Sequence, residues 1–375
     1  MKKAMLVILM MFLVAQAPDV RHLQVTLAER ESDFPNLAWN GSRLGAAWMD
    51  GRDGNFEIYF RMVDMNTKTL GPESRLTNSV TWDDHPRLCW TGSEFGLSWI
   101  HEKKTKFNLM FRKLDAQGKP KGKARTVVNQ AMMGKETAIC WSGAGYGIAA
   151  TEFKGGADQG EIVFQYLDEN GSPLGAPETV AGGPGIKIPA QMLRTSSDFM
   201  LFYHDTSYDT AHFLRLDPFG RPRGTQVQLN QPGTRSGLPA AAFNGTVFLA
   251  AWPETNEAGK DIMVSLISPT GEVLGTPYPV TTPDVKRPSV ALAAGPDGFG
   301  MAWIEITEEG RTLFFRALDN TGKPLDKPLR LSKPRPVKIM TNRVSIEADN
   351  AGYVIAWVDV SPPMNTEVIL SRVGF

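Results

Sequence analysis

The sequence predicts an all-β fold, and three observations carry that prediction. A motif of about 51 residues recurs seven times along the 375-residue chain. Each copy breaks into short apolar or alternating runs separated by Gly-containing turns, and no helix-period pattern competes after residue 20. Units of this size with four antiparallel strands, repeated radially, make a β-propeller whose blades bury their faces against one another. The expected architecture is therefore one seven-bladed β-propeller domain over residues 18–375.

The period is set by an aromatic that closes the second strand of each unit: Trp48, Trp99, Tyr203, Trp252, Trp303 and Trp357, with Ala150 in the third unit. Five of the chain's nine tryptophans stand in this series, so chance is a poor explanation. A second series, Asp64, Asp115, Asp168, Asp217, Ser268 and Asp319, ends a third strand, and five of the six are followed by Gly118, Gly171, Gly220, Gly271 or Gly322.

Within a unit, strand A usually opens after a proline (Pro35, Pro86, Pro189, Pro239, Pro288), a position where the missing N–H costs no ladder bond. The A–B turns carry Asn40-Gly41, Thr91-Gly92, Ser142-Gly143 and Asn244-Gly245, and Asn-Gly between apolar runs is a strong hairpin signal. Strand B is small and apolar on both faces (GAAW, GLSW, GMAW, VIAW), which predicts burial on both sides. Strand C alternates (EIYFRMVD, TLFFRALD), and strand D is short (SRLT, LRLS). The seventh unit stops after its third strand. The alternating run from His22 to Ala28 precedes the first unit and is expected to supply the missing strand, closing the ring with the two chain ends.

Composition is that of a globular protein, with 42% hydrophobic and 21% charged residues and a formal charge of zero. Without a basic run, the electrostatic footprint of a nucleic-acid binder is absent. Lys2 and Lys3, the apolar run Ala4–Ala15 and the Ala15-Gln16-Ala17 ending have the three-part form of a secretory signal peptide, residues 1–17. The run falls short of the ~20 residues of a spanning helix, so the expectation is export to the periplasm or beyond, with cleavage after Ala17 and no membrane span in the mature chain. No Cys at the cleavage point argues against a lipid anchor. The only cysteines, Cys89 and Cys140, occupy one position in consecutive units, and buried free thiols between neighbouring sheets are expected over a disulfide.

The segment DGRDGNFEIYF (Asp50–Phe60), followed by RLT (Arg75–Thr77) and WDDHPRLCW (Trp82–Trp90), resembles the propeller repeat of TolB-type periplasmic proteins. That resemblance implies an exported propeller that binds another protein.

Two residues after the strand-B aromatic stands an acid in six units (Asp50, Glu152, Asp205, Glu254, Glu305, Asp359), with His101 in the second. In a propeller these form one ring on the face of the B–C and D–A loops. The acids either hold a ligand or cap their loops and pair with bases such as Arg52, Arg287 and Arg343. Residues that differ between units are better site candidates, because a site needs asymmetry that a repeat lacks. The candidate ligand-binding set on that face is Asp50, Arg52, Asp53, Trp82, Asp83, Asp84, His85, His101, Glu136, Arg235, Arg287 and Arg343. No HExxH, Gly-x-Ser-x-Gly or phosphate-cradling loop occurs, and no catalytic residue, metal ligand or cofactor is assigned. The expected function is a monomeric, non-catalytic scaffold that binds a protein or peptide at the B–C/D–A face. The alternatives are a glycan-binding, lectin-like propeller and a carbohydrate-active hydrolase.

Overall fold

The computed structural model describes residues 19–27, 30–103, 106–153, 158–257, 259–281, 286–335, 343–361 and 365–374, the side chains of residues 129–135, 287, 288 and 361 excepted. The expected signal segment 1–17 lies outside them. Among the described residues the chain is all strand and turn, arranged as seven blades of four antiparallel strands. Blade 1 runs from Ser32–Trp39 (strand A) through Leu44–Asp50 (B) and Glu57–Asp64 (C) to an outer strand in two pieces, Thr69–Leu70 and Ser74–Arg75. The later blades repeat this order outward from the axis, with inner strands at Asp83–Trp90, residues 136–141, Lys187–Arg194, Ala240–Phe243, Lys286–Gly295 and Ser345–Asp349.

Strand B is buried along its length in blade 1, as its sequence predicts. Its Trp48 faces the preceding blade, while Phe60 of strand C faces the following one. The same division recurs with Trp252 and Phe213, or Trp357 and Phe315. The hydrophobic core is thus seven slabs, one between each pair of neighbouring blades, including a slab between blades 7 and 1. At about 1.5–3 kcal/mol for each large apolar side chain removed from water, these slabs are the main source of stability.

The last blade is completed by the N-terminal strand Val20–Gln24, which pairs antiparallel with Asn365–Gly374 in the register Val20↔Val373 to Gln24↔Ile369. The pairing begins two residues earlier than the His22–Ala28 run read from the sequence. Beyond it, Val25 N donates to Val368 O at 2.8 Å and Val368 N donates to Thr26 Oγ1 at 2.9 Å. A further difference lies between blades 2 and 3, where one continuous strand, Pro120–Trp141, serves as the outer strand of one blade and the inner strand of the next. Residues 121–141 contain no proline to break it, and register shifts absorb the change of blade.

The Asp–Gly series is the C–D turn. Asp168 Oδ1 accepts from Asn170 N (2.9 Å) and Ser172 N (2.7 Å), and Asp115, Asp217 and Asp319 do the same two and four residues on. The glycine answers two demands at once. Gly118 has φ +84°, and a Cβ there would stand 1.9 Å from the ring of Phe60 in the blade before.

Gly118→Ala therefore meets both the left-handed penalty of about 1–2 kcal/mol and an inter-blade clash of about 1–3 kcal/mol. Gly224→Ala meets only the first, since its φ is +93° with open space around it. Urea unfolding should find Gly118→Ala the less stable by at least about 1 kcal/mol; equal midpoints would contradict this packing.

Candidate functional site

In blades 1, 5 and 6 the acid two residues after the strand-B tryptophan is a hydrogen-bonding device of the fold, whereas in blade 4, where the aromatic is Tyr203, Asp205 pairs with Lys187 at 3.1 Å. Residues i and i+2 of a strand share a face, so Trp48 Nε1 reaches Asp50 Oδ2 at 3.0 Å, Trp252 Nε1 reaches Glu254 Oε2 at 2.9 Å, and Trp303 Nε1 reaches Glu305 Oε1 at 3.0 Å. Each buried indole N–H needs such an acceptor. Blade 2 has His101 at this position, and there Trp99 Nε1 donates instead to Asp83 Oδ1 at 2.9 Å, with His101 Nδ1 at 2.8 Å from the same oxygen. In blade 7 the acceptor is Ser371 Oγ at 2.8 Å, and Asp359 is left to a bidentate pair with Arg335 (2.7 and 2.8 Å).

The other predicted site residues separate into three groups. Asp50, Arg52 and Asp53 sit in a network in blade 1: Arg52 binds Asp50 through Nε (2.8 Å) and Nη2 (2.6 Å), reaches Glu73 Oε1 at 2.5 Å, and lies over the Tyr59 ring at 4.6 Å. Burial alone would raise the Asp50 carboxyl, but the bonds from Arg52 and Trp48 hold it below its usual range. Asp53 accepts from Tyr59 Oη and pairs with Arg75 at 3.1 Å. Trp82 and Arg235 are exposed and lie apart from the axis; Trp82, 44% exposed, packs edge-on against Phe56, and Arg235 pairs with Asp209. The Arg287 side chain lies outside the described residues.

The third group, Asp84, His85, Glu136 and Arg343, gathers where the inner strands begin. These strands surround a central cavity of about 750 Å³, lined at this end by Phe34, Arg87, Glu136 and Arg343. Glu136 holds both guanidiniums: Arg87 Nη2 at 2.9 Å from its Oε2, and Arg343 Nη2 against its Oε1. Arg87 Nε also donates to Thr137 O at 3.1 Å, fastening blade 2 to blade 3. Burial lowers Arg87 to about 10; burial and then repulsion from Arg87 lower Arg343 to about 9, with Asp33 acting in the opposite sense.

Beside this clasp the repeats Asp33-Phe34-Pro35 and Asp84-His85-Pro86 make matching bulges in strand A. Phe34 (φ +50°) and His85 (φ +53°) both adopt the left-handed conformation, unusual for side chains of this size, and their rings meet at 3.7 Å between centroids. His85 Nδ1 lies 3.2 Å from Asp84 Oδ1. Burial nonetheless keeps His85 below its ordinary value, and the Asp84 carboxylate offsets this only in part.

The sequence reading did not single out Arg87, Glu347 or the trio Trp39, Trp90 and Trp141, all of which line the cavity. The trio did leave a signal, since each stands directly before an A–B turn at the 51-residue period. Cys89 and Cys140 are free and half-buried on the cavity wall, each packed on one side into an inter-blade slab. Burial pushes the Cys140 thiol up to about 12 and Cys89 well above its ordinary value. Among the described residues no three His, Cys, Asp or Glu side chains converge as a metal site.

The fold is similar to that of several solved propellers. The acylaminoacyl peptidase of Pyrococcus horikoshii matches with a TM-score of 0.53 and 10% identity over 92% of this chain and 52% of its own. A prolyl endopeptidase matches with 0.53 and 13% over 90% and 46%. The β-propeller domain of the Trilobed protease from Pyrococcus furiosus, described as having an open velcro topology, matches with 0.53 and 9% over 92% and 94%. This chain thus spans about half the length of the first two. At these identities the likeness is one of fold. No family model matches the sequence, and no curated protein does.

Because its folded-state pKa lies below the 6.5 of a free imidazole, His85 takes up its proton more readily in the unfolded chain. Its contribution to stability is complete above that value and is lost as pH falls below it. His85→Phe reproduces the residue of the equivalent bulge in blade 1. Its melting temperature should fall less than the wild type's between pH 7 and pH 5; parallel pH profiles would show that His85 is not held neutral.

Proposed function

We infer that the protein is an exported, TolB-like binding scaffold that takes an acidic or C-terminal peptide segment of another protein at the D–A end of its channel. The observation that carries this reading is the clasp of Arg87, Glu136 and Arg343. Two guanidiniums share one carboxylate at the wall of a 750 Å³ cavity, and their repulsion contributes to the lowered pKa of Arg343. A second carboxylate entering the mouth relieves that repulsion and gains the charge-assisted, forked geometry that arginine offers. The left-handed Phe34 and His85 add an aromatic surface beside it. Strain of this kind is held where a structure needs a particular side-chain position.

A hydrolase acting on glycans would need two carboxylates about 5–10 Å apart and free to exchange protons. Around this mouth Asp83 is engaged by Trp99 and His101, Asp84 faces His85, and Glu136 is held by two arginines. This favours binding over chemistry. The N-terminal segment 1–17 supports export, which brings the chain to partners in the envelope or outside the cell.

Pull-down from envelope extracts with wild type, Arg343→Met and Trp82→Ala tests the assignment. Arg343→Met keeps the apolar stem and removes the charge. A partner retained by wild type and Trp82→Ala, and lost by an Arg343→Met variant that melts normally, is the expected outcome. Peptides from that partner should bind the variant about ten-fold more weakly. Identical partner lists for all three proteins would remove the D–A mouth from consideration.

A further inference from the structure

The opposite mouth of the channel, where the inner strands end at the A–B turns, carries a second arrangement. Trp39, Trp90 and Trp141 stand at the same register position in three consecutive blades, opposite Leu44, Phe95 and Tyr146 of strand B. All three are half-buried and line the cavity. Trp90 and Trp141 each lean against a core ring, with centroids 4.7 Å from Phe95 and 4.7 Å from Tyr146, which fixes their orientation.

Polar groups stand on both flanks of this half-ring. On the blade 7 side, Leu37 N donates to Ser345 Oγ at 3.1 Å, so these two parallel inner strands run side by side with Glu347 next to Trp39. Glu347 lines the cavity, and burial without a neighbouring cation pushes its carboxyl up to about 8. On the blade 4 side, Arg194 holds the register position of the tryptophans, opposite Phe199, and its exposed guanidinium rises over the Gly143 turn.

We propose that the three indoles, flanked by Glu347 and Arg194, form a binding site for a neutral saccharide at the A–B mouth of the channel. A pyranose ring presents C–H groups on its faces and hydroxyls around its edge. Flat aromatic surface takes the first, and a carboxyl on one side with a guanidinium on the other takes the second. An aliphatic or aromatic guest would cover Glu347 without giving it a hydrogen-bond partner, which is costly. The channel as a whole encloses about 750 Å³ between its two mouths, within the ~300–1,000 Å³ of small-ligand sites, so its A–B end offers room for a short saccharide. The site is independent of the peptide reading at the other mouth.

Tryptophan fluorescence and calorimetric titration of the full chain with tetrasaccharides of β-1,4-linked glucose, α-1,4-linked glucose and β-1,4-linked N-acetylglucosamine test it. At least one should shift the indole emission and bind saturably. Trp90→Ala should weaken that binding about ten-fold, Glu347→Gln several-fold, and Trp82→Ala, on the other face, not at all. If Trp90→Ala does not melt normally, Trp39→Phe with Glu347→Gln decides instead. No saturable binding by any of the three sugars, or binding unchanged in the Trp39, Trp90 and Glu347 variants, would overturn the proposal.

Discussion

The structure depends on one constraint: every blade is apolar on both faces, so every blade needs a neighbour on each side. Seven blades in a row would leave two faces bare, and a ring leaves none. The core records this directly, with seven slabs for seven blades, one of them joining Val25 and Val354 of the last blade to Trp48 of the first. The pairing of Val20–Gln24 with Asn365–Gly374 holds the ends of the chain together at that seam. Across it, Ser32 N donates to Thr366 Oγ1 at 3.0 Å. An unpaired strand edge is a liability in any sheet, and here it would also release the slab beneath it.

Ring geometry decides which polar residues serve the fold. A tryptophan wide enough to fill an inter-blade slab brings an N–H into apolar surroundings, and leaving it unpaired would cost about 1–3 kcal/mol. The carboxylate two residues on, or Asp83 and Ser371 in blades 2 and 7, removes that cost. Inner strands are laced in the same way, Asn36 Oδ1 accepting from Leu88 N at 2.7 Å and Gln191 Oε1 from Ala241 N at 2.9 Å. The polar partner of the strand-B tryptophan, present in five blades, is thereby accounted for by the ring. Two groups that depart from the repeat stand along the axis: a charged clasp at one mouth, and three indoles between a carboxyl and a guanidinium at the other.

Blade number, strand order, the Asp–Gly turns and the presence of a closing strand were legible in the sequence, because each rests on local periodicity and turn chemistry. The starts of strand A were not, since Pro35, Pro86, Pro189 and Pro288 stand inside their strands, at or beside the register shifts, and only Pro239 precedes its strand. The continuity of Pro120–Trp141 was not legible, because a strand shared between two blades has no local mark. Burial of Asp50, Asp83 and Asp84 was not legible either, since an acid after a tryptophan reads the same whether it faces solvent or an indole N–H. The clasp joins residues of blades 2, 3 and 7. Glu347 and Trp39 are more than 300 residues apart, and only a closed ring makes them neighbours. Both mouths of the channel therefore exist only as a consequence of closure.

Amide hydrogen exchange of wild type and Leu23→Pro tests closure most directly. Proline at Leu23 removes an N–H from the closing strand and distorts its pairing with Leu370. The account predicts that protection is lost in residues 365–374 and in strands A and B of blade 1, across the seam, while blades 3 to 5 stay protected. Unchanged exchange in residues 365–374, or a uniform loss over all seven blades, would contradict it.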